Sequence, residues 1–180
     1  MNGKGKTFKI LLVGSRYTGK GQIGRAWAHT DADLPTLQPV MLYERMVTIK
    51  GNAYRVMAWI LSFDPEFEDL RSAFYSKTDG IILTYDANDT TKNTFVDLLK
   101  FLNEIKQNYP MGLPPAVTFG TRLTDTIELS NSLRKRVEEW AYKNTYGPVI
   151  QGLYSDKEQF QDAVDSAFKA LLEKIFQNMH

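Results

Sequence analysis

The chain has 180 residues and no cysteine, and its 22 Lys and Arg against 21 Asp and Glu leave a formal charge of +1. That is the size of one domain, and it excludes disulfides, thiolate metal sites, a Cys nucleophile and lipid attachment through Cys. The balanced charge argues against nucleic acid or an anionic membrane as the partner.

Residues 1–6 are polar and Gly-rich and read as a flexible terminus of a single domain covering 1–180. No apolar run approaches the ~20 residues that cross a bilayer. No signal peptide precedes the first strand, and Asn2 excludes N-myristoylation. A cytoplasmic setting without a direct membrane anchor is therefore expected, with any recruitment to membranes or larger complexes running through partners.

FKILLVG (Phe8–Gly14) is a short apolar run and reads as a buried strand. Lys20–His29 follows as a helix with Ile23, Ala26 and Trp27 on one face. Thr30–Pro39 reads as a loop. Met41–Ile49 and Ala53–Leu61 are strands joined through Lys50, Gly51 and Asn52, which predicts an antiparallel hairpin. Pro65–Ser76 reads as a helix with Phe67, Leu70 and Phe74 at helical spacing, and Gly80–Asp86 as a buried strand.

Thr90–Tyr109 is an amphipathic helix with Phe95, Leu98, Leu99, Leu102 and Ile105 on one face. Ala116–Gly120 is a strand, and Ser130–Asn144 a charged helix burying Leu133, Val137, Trp140 and Ala141. Gly147–Gly152 is a last short strand. Ser155 and Glu158 have capping-box spacing at the start of a helix that buries Phe160, Val164, Ala167, Phe168, Leu171, Leu172 and Ile175. Strand–helix alternation predicts a parallel sheet covered on both faces, made mixed by one antiparallel edge strand. Trp27, Trp59 and Trp140 read as core, and His29 and His180 as surface residues without metal-ligand spacing.

Between the first strand and first helix lies GSRYTGKG, with the frame Gly14-x4-Gly19-Lys20. Glycines in this frame let backbone N–H groups converge on phosphate, the helix adds its positive end, and the lysine reaches the terminal phosphates. The expected phosphate-contacting positions are Gly14, Thr18, Gly19, Lys20 and Gly21. A hydroxyl normally follows the lysine and holds Mg²⁺; here Gly21 stands there.

From Phe8 to Phe176 the chain resembles the Ras-like small GTPases, Rab-type members most of all. WILSFDPEFEDLRSAFYSKTDGIILTYD resembles the family's WDTAGQE-x-F…YY…ADG-x-x-x-x-YD without a gap, keeping Trp59, Phe67, Leu70, Tyr75, Asp79, Gly80, Tyr85 and Asp86. DLPTLQ looks like switch I, with Thr36 at the metal-contacting threonine. VTFGTRLTD is similar to the strand and loop of the guanine motif, and IQGLYSD lies where Ser-Ala-Lys is expected. The resemblance implies an α/β fold of the P-loop NTPase class, a Ras-like G domain whose mixed six-stranded sheet is flanked by five helices. It implies GTP or GDP with Mg²⁺ as ligands. It also implies protein partners docking on the switch regions and the edge strand Met41–Ile49.

The scaffold matches and the chemistry does not. The acidic metal anchor at a strand end is Ile60, which reads as a core residue and leaves Thr36 as the remaining metal candidate. The glycine that senses the γ-phosphate is Phe63, whose ring is expected to clash with that phosphate or plug the pocket. The water-orienting glutamine is Asp64, expected instead in a solvated or helix-capping role ahead of Pro65. Asn-Lys-x-Asp becomes Thr121-Arg122-Leu123-Thr124, with Asp125 one place late; Thr121, Arg122 and Asp125 are the base-binding candidates.

Three readings follow. One is a pseudo-GTPase with weak or absent nucleotide binding, little or no hydrolysis, and a role in protein interaction. Another is a divergent GTP-binding switch with slow, partner-dependent hydrolysis. The third, another P-loop enzyme such as a small-molecule kinase, is disfavoured because phosphoryl transfer rests on charge neutralisation by metal.

Overall fold

The structure, a computed structural model, describes residues 5–32, 38–91, 93–124 and 130–179. Thr36, Asp125 and His180 lie outside the described residues. Six strands form one sheet in the order β2-β3-β1-β4-β5-β6: β1 (Thr7–Val13), β2 (Val40–Ile49), β3 (Asn52–Leu61), β4 (Gly80–Asp86), β5 (Ala116–Arg122) and β6 (Val149–Leu153). Among the described residues five helices flank it: α1 (Lys20–Ala28), α2 (Glu68–Tyr75), α3 (Asn93–Lys106), α4 (Ser130–Lys143) and α5 (Lys157–Gln177).

The antiparallel pairing is β2 with β3, from Val40↔Leu61 to Ile49↔Asn52; every other strand pair is parallel. Lys50 and Gly51 turn the hairpin at φ of 50° and 77°. Two positive φ values in a two-residue link match the right-handed strand twist, and glycine takes the second without steric cost.

Side chains alternate across the sheet with period two. Phe8, Ile10 and Leu12 of β1 join α1 and α5 on one face, where Trp27 stacks on Phe168 at 3.9 Å. Leu11 and Val13 meet α3 and α4 on the other, with Leu98, Leu102, Val137 and Ala141. Each face buries its own cluster, so the sheet holds the loop at the C-terminal end of β1 rigidly between two cores.

Two expectations need correcting. Pro65–Ser76 is not one helix: a 3₁₀ turn (Pro65–Phe67) leads into the shorter α2. Leu70 faces outward, 51% exposed, while Arg71 and Tyr75 take the buried positions. An arginine buries there because Glu104 of α3 meets its guanidinium in a bidentate pair, at 3.0 and 2.9 Å. At α5 the cap lies one residue later than the sequence pattern suggests: Asp156 accepts from the Gln159 amide. The Gln159 side chain ties to Leu153 N and Gln151 O instead of closing a capping box, which joins the helix to β6.

Candidate nucleotide site

The loop after β1 is fixed by hydroxyls from two neighbouring strands. Thr18 Oγ1 donates to Ser15 O (3.0 Å) and lies 2.8 Å from Thr84 Oγ1, and Thr84 Oγ1 is 3.1 Å from Val13 O. Thr121 Oγ1 donates to Thr18 O at 3.0 Å. All three threonines are buried. The glycines make these approaches feasible. A Cβ on Gly14 would sit 2.1 Å from Thr84 Oγ1; one on Gly19, whose φ is 77°, would sit 2.6 Å from Thr121 Oγ1. Gly19 is the N-cap of α1, so the helix opens directly from the loop.

Lys20 folds back over the loop, its Nζ donating to Gly14 O and Ser15 O at 2.6 Å each. Burial pushes its ammonium down to about 7, and the Asp64 carboxylate opposes that shift. The cavity above the loop holds about 560 Å³ and is lined by Arg16, Lys20, Gly21, Arg25, Ile60 and Asp64 among others.

The expected phosphate-contacting set Gly14, Thr18, Gly19, Lys20 and Gly21 is therefore gathered in one loop. Of the base-side candidates, Thr121 is 1% exposed with its hydroxyl engaged by the loop, so it ties β5 to that loop. Arg122 ends β5 beside it.

The metal side is different. Ile60 is 2% exposed and belongs to the α1–α5 core, as expected. Its Cδ1 and the Tyr43 ring both press on Gly24 of α1, where an added Cβ would lie 2.5 Å from each. Gly21 contributes no side chain, and among the described residues no three acidic, His or Cys groups could hold a metal.

Phe63 contributes to the lining of the cavity above the loop. Its ring lies 3.9 Å from that of Phe101 on α3, capped by the Arg71 guanidinium at 5.0 Å, and the residue is 9% exposed. Asp64 starts the 3₁₀ turn without capping it through its side chain. Its carboxylate accepts from Ser62 Oγ (3.0 Å) and pairs with Arg16 of the loop (3.4 Å).

Arg71 also donates to Asp64 O at 3.1 Å, and Tyr75 OH donates to Glu104 Oε1. Burial alone would raise the Glu104 carboxyl; the Arg71 and Tyr75 hydrogen bonds outweigh it and hold the group below its usual range. Arg16, Thr84, Arg71 and Glu104 were not singled out by the sequence. Thr84 looks like any strand residue, and an arginine or glutamate in a helix reads as surface. Arg16 alone carried a signal, a cation inside the phosphate-loop frame.

The model of the Ras family matches residues 9–177. The chain belongs to the Ras family. Ras-related protein Rab-12 of Mus musculus is 27% identical over 174 residues, 95% of this chain and 68% of that protein. Ras-related protein RABA5b of Arabidopsis thaliana is 23% identical over 179 residues, 96% of this chain and 76% of that protein. Ras-related protein Rab-13 of Rattus norvegicus matches a shorter stretch, 26% over 108 residues, 59% of this chain and 52% of that protein.

Ras-family membership implies GTP or GDP with Mg²⁺. The loop residues fit the phosphates: a glycine cradle that a Cβ would fill, a helix opening from it, and a lysine at its centre. Among the described residues the two anchor positions do not fit the ion, because Gly21 has no side chain and Ile60 is a buried isoleucine. Among the described residues no helix is long and apolar enough to cross a membrane.

Proposed function

We propose that this Ras-family chain acts as a pseudo-GTPase: a protein-interaction module with weak nucleotide binding and little or no GTP hydrolysis. One observation carries the reading. Ile60, at the column of the acidic metal anchor, is sealed into the core against Gly24 and Tyr43. Each transition-state contact removed from such a site typically costs ~10²–10³ in rate. Here the loop hydroxyl, the metal anchor, the γ-phosphate-sensing glycine and the water-orienting glutamine are all replaced.

The interaction half of the proposal draws on the outer face of β2, β3 and α2. Leu42, Met46 and Leu70 are 43%, 58% and 51% exposed there. Leu42 pairs across the hairpin with half-buried Trp59, whose ring is 6.2 Å from Phe74. An apolar face of this kind on an edge strand suits a protein partner. The preserved phosphate loop favours the second reading, a divergent switch with slow, partner-dependent hydrolysis.

Single-turnover release of phosphate from γ-labelled GTP with Mg²⁺ tests the proposal. Release at the rate of GTP alone is expected; turnover at ordinary small-GTPase rates refutes it.

A further inference from the structure

A phosphate group brings two or more negative charges into a cavity, and they need a counter-charge. In the described lining three cations, Arg16, Lys20 and Arg25, face one carboxylate, Asp64. Two of the cations rest on acceptors that an anion could replace. Arg16 pairs with Asp64 at 3.4 Å, and Lys20 donates to the Gly14 and Ser15 carbonyls. Asp64 has a second support in Ser62 Oγ, which keeps its carboxylate solvated when Arg16 leaves.

Building on the reading above, we propose that the loop binds a diphosphate group without magnesium, Arg16 exchanging the Asp64 carboxylate for the phosphate. Lys20 and the loop amides hold one phosphate, and Arg16 replaces the charge a metal would supply. A third phosphate brings further negative charge toward Asp64 with no metal between them, so a triphosphate gains nothing over a diphosphate. The cavity of about 560 Å³ admits either a nucleoside diphosphate or free diphosphate.

The test is calorimetric titration of the full chain with GDP, ADP and pyrophosphate, each in magnesium and in EDTA. At least one probe binds, and its Kd changes by less than about twofold between the two conditions. The probe that binds tightest identifies the source of the diphosphate, whether guanine nucleotide, adenine nucleotide or the free anion.

Arg16→Gln weakens binding about tenfold, the loss expected for one charge-assisted hydrogen bond of roughly 1.5 kcal/mol, and Asp64→Asn strengthens it. Arg16 is 62% exposed, so the variant retains its fold, which its unfolding temperature checks. Tightening by magnesium of tenfold or more, no binding of any probe, or an unaffected Arg16→Gln overturns the proposal. Hydrolysis with magnesium-independent GDP binding would overturn the pseudo-GTPase reading alone.

Discussion

If the site lacks a metal because its anchor position has joined the core, restoring the family residues should succeed at one position and fail at the other. Gly21 is the permissive one. A Cβ there meets nothing within 4 Å, and the position lies in the first turn of α1. Gly21→Ser should fold normally and gain a few tenths of a kcal/mol, roughly the helix-propensity difference.

Ile60→Asp is the opposite case. Ile60 is 2% exposed and packs against Gly24 and Tyr43. Removing its side chain forfeits about 1.5–3 kcal/mol of burial. An ionised carboxyl at so buried a position adds several kcal/mol more. The sum, roughly 5 kcal/mol or above, is comparable to the whole stability of a small domain.

The new carboxyl lowers its cost by staying protonated, so its folded pKa lies above its unfolded one. The folded state then holds the extra proton, and stability falls as pH rises, by about 1.4 kcal/mol per unit from ~4 up to the folded pKa. Urea unfolding at several pH values measures this. An Ile60→Asp protein as stable as the parent, with no added pH dependence, refutes the claim that this position is core.

Arg71→Met breaks the buried pair with Glu104. With Glu104 29% exposed, the loss should be about 2–3 kcal/mol, below the 3–5 of a fully buried pair. A fall of roughly 5–10 °C in Tm follows for a chain of this size. Thr121→Val leaves the buried Thr18 carbonyl without its hydroxyl donor; the expected cost is ~1–3 kcal/mol, together with faster amide exchange across the loop. Lys20 is driven down to about 7 by burial, so above that pH the folded protein holds a neutral amine and binding an anion must recharge it. Diphosphate binding should weaken as pH rises past 7 and be accompanied by proton uptake, which calorimetry in buffers of different ionisation enthalpy reads directly. In the free protein the same lowered pKa makes stability rise with pH above about 7, since the unfolded chain still holds the proton there.

The fold was legible because its signals are local and repeated. β1, β4 and β5 are short apolar runs, α3 and α5 carry unbroken helical periodicity, and Lys50–Gly51 announces the hairpin. The phosphate loop was legible for the same reason, its glycines being required by close approaches at fixed spacing. Where reading failed, a polar residue was buried or an apolar one was exposed. The buried face of α2 was not legible because Arg71 takes an inward position that its partner Glu104, 33 residues on, makes tolerable. The Thr18–Thr84–Thr121 tie joins the loop to β4 and β5 and has no sequence period at all.

Phe63 shows how these departures depend on one another. A glycine at this position owes its use to its backbone; a phenylalanine needs somewhere to put a ring. The ring reaches the α3 side of the sheet, against Phe101, and the Arg71 guanidinium covers it while bonding Asp64 O and Glu104. Glu104 in turn accepts from Tyr75, so the segment from Asp64 to Tyr75 is held to α3 by a ring contact, a bidentate ion pair and a phenolic hydrogen bond. A segment anchored in this way has little left to gain from a terminal phosphate, because a ligand moves an equilibrium only by its differential affinity for the two states. On the proposed reading the buried Ile60 and the docked Phe63 would act in the same direction, one offering a metal no ligand and the other tying the segment to α3 rather than to a terminal phosphate.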